Sequence, residues 1–452
     1  MKMINLSKSR YCKGLQCPKI LWLDINKIEE RDDSQDNQIV FKTGNRVGEL
    51  AREYFKNHTL VSYSDNKKDM LEETKRILSS RTPVICEASF AVNNLFCSVD
   101  ILRNFKDRVE IVEVKSSARV KTEHLDDMAF QYYTLKACGF NVKKVSLMHI
   151  NTKYERFGEL NLKKLFSIID CTEQIIEKQK SINRNIKKIV KIAGAETEPD
   201  IKTGEQCDNP YPCPYIDYCS RNINDKKLKL GKPIVNKEKI KSFLNTLSYP
   251  LYYLDFETFM DAIPPFDRSR PYQQITCQYS LHIQAKKRGK LKHREFLGET
   301  GKDPRRELAE RLCADIPNDV CVLAYNMPFE KGRIAELAAM YLDLSEHLMA
   351  IHGNMKDLIV PFRKKAWRSH AQNGSNSIKA VLPAMFPDDP ELNYDSLDLI
   401  HNGGEAMDAY ADLHNKSPHE QKRIRTALLT YCRLDTLAMV KILEELYSIA
   451  GE

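Results

Sequence analysis

The stretch LYYLDFETFMD, residues 251 to 261, sets two acids, Asp255 and Glu257, one residue apart inside an otherwise apolar and aromatic run. Its length, its aromatic content and its bounding residues predict a β-strand over 250–258. Side chains on a strand alternate faces, so Leu254 and Phe256 point one way while Asp255 and Glu257 point the other. Two carboxylates a few ångströms apart repel unless a cation lies between them. Divalent ions of the Mg or Mn type take oxygen ligands, so such a pair suits a metal site for phosphate chemistry. An edge strand whose polar face meets water is the competing reading, and it is the commoner one for a solitary D-x-E. Partners elsewhere in the chain decide between them.

Two partners follow. In LAYNMPFEKG a strand predicted over 319–325 gives way to a helix from about 328 to 342, which places Asn326 at the turn and Glu330 in the first helical turn. An acid there also simply complements the helix dipole. In LLTYCRLDTLAMV, inside a helix predicted over 418–447, Tyr431 and Asp435 are four apart and share a face. Strands at 274–283 and 292–297 and a helix at 304–316, opened by Asp303 and Pro304, complete a βββαβα order with a helical insertion.

D-x-E, N-x-x-x-E and Y-x-x-x-D in this order resemble the tyrosine-containing DEDD branch of the DnaQ-like 3′–5′ exonucleases. The resemblance covers about residues 248–450 and implies a ribonuclease-H-like fold with a mixed five-stranded sheet and flanking helices. The second motif of that superfamily usually ends in Asp, where this chain has Glu330. GSNSIKAVLPAMFPDD, residues 374–389, resembles the segment before the last motif, with Ser377, Lys379 and Leu382 on an amphipathic helix; a solvated charge is the alternative for Lys379. The implied reaction is phosphodiester hydrolysis with two Mg2+ or Mn2+ ions roughly 4 Å apart, one activating the attacking water and one stabilising the leaving 3′ oxygen. Asp255, Glu257 and Asp435 would hold the ions and Glu330 would complete the shell of the second metal. Tyr431 would orient the water, and Asn326 would contact the substrate terminus.

Upstream, a helix near 44–57, strands at 83–92, 94–103 and 108–115, a helix at 123–138 and a strand at 143–150 give an αβββαβ core. In LFCSVDILRNFKDRVEIVEVKSS, Asp100 lies on one strand, and Glu113 and Lys115 alternate onto one face of the next. An acid beside E-x-K on a neighbouring strand can hold a divalent ion while the lysine polarises water or phosphate. A cross-strand salt bridge is the competing reading. The pattern resembles the PD-(D/E)XK nucleases, whose restriction-endonuclease-like core has this element order. DDMAFQYYTLKACGF resembles the helix carrying a Gln and Tyr motif in RecB-type members, which implies substrate contacts from Gln131 and Tyr132. Leu135 stands where that motif has Tyr, and GNRVGELAR lacks the histidine those enzymes often supply from the first helix. Glu87 is a further candidate for the metal site or a solvated acid.

Thirteen cysteines, an odd number, disfavour a disulfide framework. Cys17 near the start and Cys207, Cys213 and Cys219 after the core resemble the four thiolates of iron-sulfur nucleases such as the RecB-like CRISPR-associated exonucleases. There a 4Fe-4S cluster fastens the two ends of the domain. The gap between Cys207 and Cys213 is longer than in those enzymes, and zinc is the competing occupant. Cys12 is read as a spare, and Cys97, Cys138, Cys277, Cys321 and Cys432 as small core residues.

The 452 residues imply more than one domain, and the excess of 70 Lys and Arg over 62 Asp and Glu mildly favours a polyanionic partner. No apolar run is long enough for a membrane span, and a cytoplasmic protein is expected. NINDKKLKLGKPIVNKEKIK, residues 222–241, reads as a basic linker between a RecB-like domain at 1–221 and an exonuclease domain at 242–452. Over nearly its whole length the chain resembles an uncharacterised bacterial family that joins these two domains. DNA or RNA is therefore the expected partner. A binding protein whose N-terminal half grips nucleic acid without cutting it is the alternative. A two-carboxylate glycosidase would need acids on facing walls of a cleft and leaves E-x-K and the cysteines without a task.

Overall fold

Two compact units divide the chain: Met1–Asp225 with Asp261–Tyr272, and Lys226–Met260 with Gln273–Glu452. The structure, a computed structural model, describes residues 4–32, 38–221 and 232–452. Residues 222–231 of the expected linker lie outside the described residues. Residues 261–272, expected in the C-terminal domain, belong instead to the first unit, where Ala262, Ile263 and Tyr272 pack with Val47, Ile101 and Val112.

The first unit opens with β1 (Leu6–Ser7), α1 (Lys8–Gln16), α2 (Pro18–Asn26) and α3 (Gln38–Tyr54). After β2 (His58–Leu60) and α4 (Lys67–Ser79) comes an antiparallel meander of β3 (Val84–Val92), β4 (Leu95–Asn104) and β5 (Val109–Lys115). Asn93 and Asn94, both at positive φ, make the two-residue turn between β3 and β4, a conformation that asparagine tolerates. The helix α5 (Thr122–Ala137) then crosses to β6 (Val142–Ile150), parallel to β5. The unit ends with α6 (Leu162–Leu165), β7 (Phe166–Asp170), the long amphipathic α7 (Thr172–Ala193) and α8 (Ile216–Ser220). The sheet runs β2-β3-β4-β5-β6-β7, with β1 paired to β4 off this path. The αβββαβ series is present; α3 starts earlier than expected, and β2, α4, β7 and α7 are elements the sequence patterns had not marked.

One irregularity of this sheet decides where chemistry sits. β4 and β5 pair from Asn104 opposite Val109 to Ile101 opposite Val112 and then part, and β1 takes the freed edge of β4 with Leu6 opposite Leu95. The fork brings Lys8, the first residue of α1, to the place where Asp100 and Glu113 emerge. Beyond it, α1 stacks Tyr11 on Phe130 of α5. It also passes so close to α7 that a Cβ at Gly14 would lie 2.6 Å from Cγ2 of Ile189.

In the second unit, β8 (Ile234–Val235) and α9 (Lys237–Leu244) occupy the end of the expected linker. β9 (Leu251–Phe259) is the central strand, antiparallel to β10 (Ile275–Gln284), which pairs in turn with β11 (Leu291–Leu297). The helix α10 (Arg305–Asp315) returns the chain to β12 (Cys321–Ala324), parallel to β9 on its other side. Next come α11 (Pro328–Met340), α12 (Ser345–Gly353), β13 (Met355–Asp357), α13 (Val360–Arg363), and β14 (Trp367–Arg368), which pairs with β8. Last are α14 (Ile378–Met385), α15 (Gly403–Ala411) and α16 (Pro418–Ala450). The main sheet runs β11-β10-β9-β12-β13, five strands as expected, although β13 itself was not foreseen.

The two faces of this sheet differ in chemistry. Leu254 and Phe256 join Tyr279, Leu308, Leu312 and Ile334 in an apolar core on the α10–α11 side. Truncating a residue such as Leu254 to Ala would cost about 2–5 kcal/mol. The opposite face meets α16 through buried polar groups: Ser280 and His282 each lie 2.7 Å from the Thr436 hydroxyl, and Gln278 donates to the Leu428 carbonyl at 2.8 Å. α16 starts at a capping box between Ser417 and Glu420 and ends at Gly451 in the left-handed region. Among the described residues no helix is long and apolar enough to cross a membrane.

Candidate active sites

Asp255 and Glu257 lie on the polar face of β9, beneath α16. From the register of β9 and β12, the chain leaving β12 arrives level with these acids, and the turn there needs Asn326 at φ 68°. Pro328 then fixes the start of α11, and Glu330 falls in its first turn. Tyr431 and Asp435, one helical turn apart on α16, complete the set. Four carboxylates thus converge: Asp255 feels the charges of Asp435, Glu257 and Glu330, and Glu257 those of Asp435 and Glu330.

The electrostatics show what is missing from the protein's own side chains. Burial, reinforced by these neighbours, pushes Asp255 and Glu257 well above the usual carboxylate range. Burial likewise raises Glu330 to about 8 and Asp435 to about 6. Asp435 rises less because Tyr394 and Tyr431 hydrogen-bond to it, the Tyr394 hydroxyl donating to Oδ1 at 2.6 Å, and because Lys379 is near. Lys379 donates to the His401 carbonyl at 2.9 Å and lies 4.8 Å from the centre of the Tyr431 ring and 5.0 Å from that of Tyr394. It is half-buried at the site, not a solvated surface charge.

A divalent ion fits this donor set. Glu330 is buried, and its Oε2 makes no hydrogen bond. Asp255, Glu257 and the Cys432 sulfur present ligand atoms within 4.8 Å of one another. Cys432, expected as a plain core thiol, lies with its Sγ 3.6 Å from Asp255 Oδ2. Burial holds that thiol well above its ordinary pKa, so it acts as a proton donor to the carboxylate. Asn326, expected to contact the substrate terminus, donates its N–H to Asp357 Oδ1, and its own Oδ1 accepts from Arg363 at 2.8 Å. The position shapes the turn that aims Glu330. Tyr394 and Asp357 were missed, since the 3-10 turn at 394–396 and the strand β13 are each three residues long, too short to show a period.

In the first unit, Asp100, Glu113, Lys115 and Gln131 also come together. Gln131 donates to Glu113 Oε2 at 2.6 Å, and Lys115 Nζ lies 2.6 Å from Glu113 Oε1 and 2.7 Å from Asp127 Oδ2. Asp100 accepts from the Val114 N–H at 2.7 Å across the fork. Lys8, which no motif had marked, places Nζ 3.0 Å from Glu113, 3.5 Å from Asp100 and 3.8 Å from Asp127. Burial alone would raise Glu113, but the ammoniums of Lys115 and Lys8 outweigh it and hold this acid well below the usual range. Asp100, where burial and Glu113 prevail, is raised to about 6. Glu87 joins this edge from β3, at φ 58°, facing Arg52 at 3.8 Å, with the β3–β4 register unbroken on either side of it. Tyr132 does not: it packs against the apolar core beside Tyr133, because only one face of α5 turns to the acids. Asp127, four residues before Gln131 on that face, was legible in the quoted helix and was passed over.

The four cysteines Cys17, Cys207, Cys213 and Cys219 line one small cavity and are all free thiols. Cys17 sits between α1 and α2, Cys219 on α8, and the Cys213 N–H donates to the Cys207 carbonyl at 2.7 Å. Around them Ile20, Trp22, Leu23 and Tyr215 form a separate apolar cluster. A donor set of four sulfurs in one cavity, brought from both ends of the unit, fits a tetrathiolate-held group.

Comparison with known proteins adds relatives without an assigned activity. Residues 252–377 match a domain of unknown function, DUF2779. That stretch holds Asp255, Glu257 and Glu330 and stops short of Lys379, Tyr431 and Asp435. The chain is similar to "Uncharacterized protein MG366 homolog" of Mycoplasma pneumoniae, 28% identical over 273 residues, or 56% of this chain and 40% of that protein. It is also similar to "Uncharacterized protein MG366" of Mycoplasma genitalium, 26% identical over 220 residues, or 45% of this chain and 33% of that protein. The matched region is thus less than half the length of either relative.

Proposed function

We propose that the chain is a metal-dependent nuclease whose second unit is a 3′–5′ exonuclease of the DnaQ-like, tyrosine-containing type. The observation that carries this reading is the convergence of Asp255, Glu257, Glu330 and Asp435 on one buried place, with the charge of Lys379 reaching Glu257 and Asp435. The sheet supports it: β11-β10-β9-β12-β13 is a mixed five-stranded sheet with flanking helices, as the resemblance to the ribonuclease-H-like fold implies. Asp255, Glu257 and Asp435 would hold Mg2+ or Mn2+, with Glu330 turned to the same place. When bound, the ions supply Lewis-acid activation of the attacking water and of the leaving 3′ oxygen. Tyr394 and Tyr431 fix the Asp435 carboxylate, Cys432 steadies Asp255, and Lys379 offers positive charge to a phosphate over the two rings.

In the first unit the fork of β4 and β5, the E-x-K pair and Gln131 support a PD-(D/E)XK, RecB-like reading, and Cys17, Cys207, Cys213 and Cys219 would hold a 4Fe-4S cluster or, as the alternative, zinc. One observation favours a gripping role there over cutting: the Lys8 ammonium stands among the three carboxylates that would otherwise take a metal.

The test is digestion of end-labelled DNA and RNA with Mg2+ or Mn2+. Asp255→Asn and Asp435→Asn should each lower nucleotide release from the 3′ end by at least about a thousandfold, since each removes a charged ligand from the ions that would activate the water. Release that persisted in both variants and in Asp100→Asn would end the proposal.

A further inference from the structure

The chain around β14 reads RKKAWRSH, residues 363–370, and sets four cations, Arg363, Lys364, Lys365 and Arg368, within six positions. Three of them, Arg363, Lys365 and Arg368, line a polar cavity of about 170 Å³ together with Ser369, Gln372 and Ser375. No acidic side chain lines it. Among the described residues Lys365 and Arg368 make no ion pair, and both are exposed. Arg363 donates to a neutral partner, Asn326 Oδ1, at 2.8 Å. The positive charge of this cavity is therefore not met by an acid in its own wall.

The turn that builds the cavity favours charge over conformational ease. At the end of α13 the Ala366 N–H donates to the Pro361 carbonyl at 2.7 Å and the Lys365 N–H to that of Phe362 at 2.9 Å, a Schellman turn. Its left-handed position is commonly glycine, but here it is Lys365, at φ 54°. Buried Gln372 pins the other wall: its Oε1 accepts from the Ser369 N–H at 2.7 Å, and its Nε2 donates to the Ser375 carbonyl at 3.2 Å. Pairing of β14 with β8 adds Lys239, which donates to the Lys364 carbonyl at 3.3 Å.

Two connections tie the cavity to the acid cluster of the second unit. Asn326, the partner of Arg363, stands four residues before Glu330, and the adjacent Tyr325 hydroxyl donates to the carbonyl of Asn376, in the cavity wall, at 2.7 Å. Three residues beyond Asn376 comes Lys379, at most about 11 Å away between Cα atoms. The charge of Lys379 reaches Glu257 and Asp435.

We propose that this cavity is a phosphate subsite that holds one backbone phosphate of a nucleic-acid strand, a short way along the strand from the bond at the acid cluster. Guanidinium and ammonium groups with no acid beside them match a phosphodiester, and such contacts position a strand without reading its sequence. The inference rests on the exonuclease reading of the second unit and adds to it a charge requirement at one linkage inside the strand.

The experiment uses the full chain carrying Asp255→Asn and Asp435→Asn, in chelator, with binding of labelled single-stranded DNA followed by fluorescence anisotropy. Adding Lys365→Gln with Arg368→Gln should lower the slope of log affinity against log salt by about 1. Lys365→Arg with Arg368→Lys should keep the slope. One uncharged methylphosphonate linkage is then walked inward from the 3′ end. At one linkage it should weaken binding by about three- to fivefold, the range of an exposed ion pair, and have no effect there once both glutamines are present. Equal slopes with and without the glutamines, equal methylphosphonate losses at every linkage, or no binding at all overturns the subsite. So does a difference that appears only when the strand carries a 5′-phosphate, which would make the ligand a terminal group. Digestion with Mn2+ by the chain with Asp255 and Asp435 intact separates this from failure of the nuclease reading. If the single-linkage effect is present but release from the 3′ end does not depend on Asp255, the subsite stands and the exonuclease reading falls; the reverse pattern removes the subsite alone.

Discussion

The two acid clusters use similar parts and solve one electrostatic problem differently. Each draws carboxylates from a sheet and a helix into a buried place, where like charges cannot all ionise unaided. Around Asp100, Glu113 and Asp127 the chain supplies its own cations, Lys8 and Lys115, and Glu113 is held well below the usual range. Around Asp255, Glu257, Glu330 and Asp435 it supplies Lys379, which leaves the site with surplus negative charge and raised acids. A cluster that brings its own ammoniums is built to hold its shape without a solute. The second cluster, with Lys379 near Glu257 and Asp435, is left short of positive charge, which on the proposed reading a divalent ion would supply.

The largest effect should come from making the first cluster like the second. Lys8→Met strands three carboxylates with Lys115 and Arg52, and breaking a buried pair costs 3–5 kcal/mol in general. The Lys8 side chain is 22% exposed, so about 3 kcal/mol is expected, read as a fall in the melting transition of roughly 6–12 °C. Millimolar Mn2+ should restore part of it. A variant that melts like the parent and ignores Mn2+ would erase the difference between the clusters.

Next in size is the pH response of the second cluster without metal. Glu330 is raised from 4.5 to about 8 and Asp435 from 3.8 to about 6, so the folded state holds protons that the unfolded state has released. Stability from these groups is full below the unfolded values and is lost as pH rises through the folded ones. Melting temperature should therefore fall between pH 4.5 and about 8 in chelator, and divalent ions should reverse the loss. Glu330→Gln should flatten the profile. A fall that is unaffected by both the ions and this variant would show that these acids do not set it.

How much of this was legible follows from how local each signal is. Asp255 and Glu257 were readable because a strand fixes which side chains share a face, and Tyr431 with Asp435 because a helix does. Lys8 was not readable: its placement depends on β1 pairing with β4, some ninety residues away, and on β5 leaving that edge. Tyr394 lies in a short 3-10 turn with no period to mark it, yet its hydroxyl meets Asp435. The linker was placed by composition alone, which cannot reveal that 234–235 pairs with 367–368 or that 261–272 packs with the first unit.

The smallest expected effect isolates Lys379, the cation of the second cluster. Its charge lowers Asp435 and Glu257, so Lys379→Met should raise both. Protons then compete with metal to higher pH, and the acid limb of the pH–activity profile should move up by roughly half a unit to one unit. The same variant leaves the site more negative once deprotonated. Mn2+ should therefore bind more weakly than to the parent near pH 6 and at least as tightly near pH 9. Lys379→Arg should keep the parent profile if charge alone matters. A uniform loss across pH in both variants would instead mean that Lys379 acts through its contacts with His401 and the two tyrosine rings. The crossing of the two affinity curves is what separates an electrostatic role from a structural one, because loss of packing has no reason to change sign with pH.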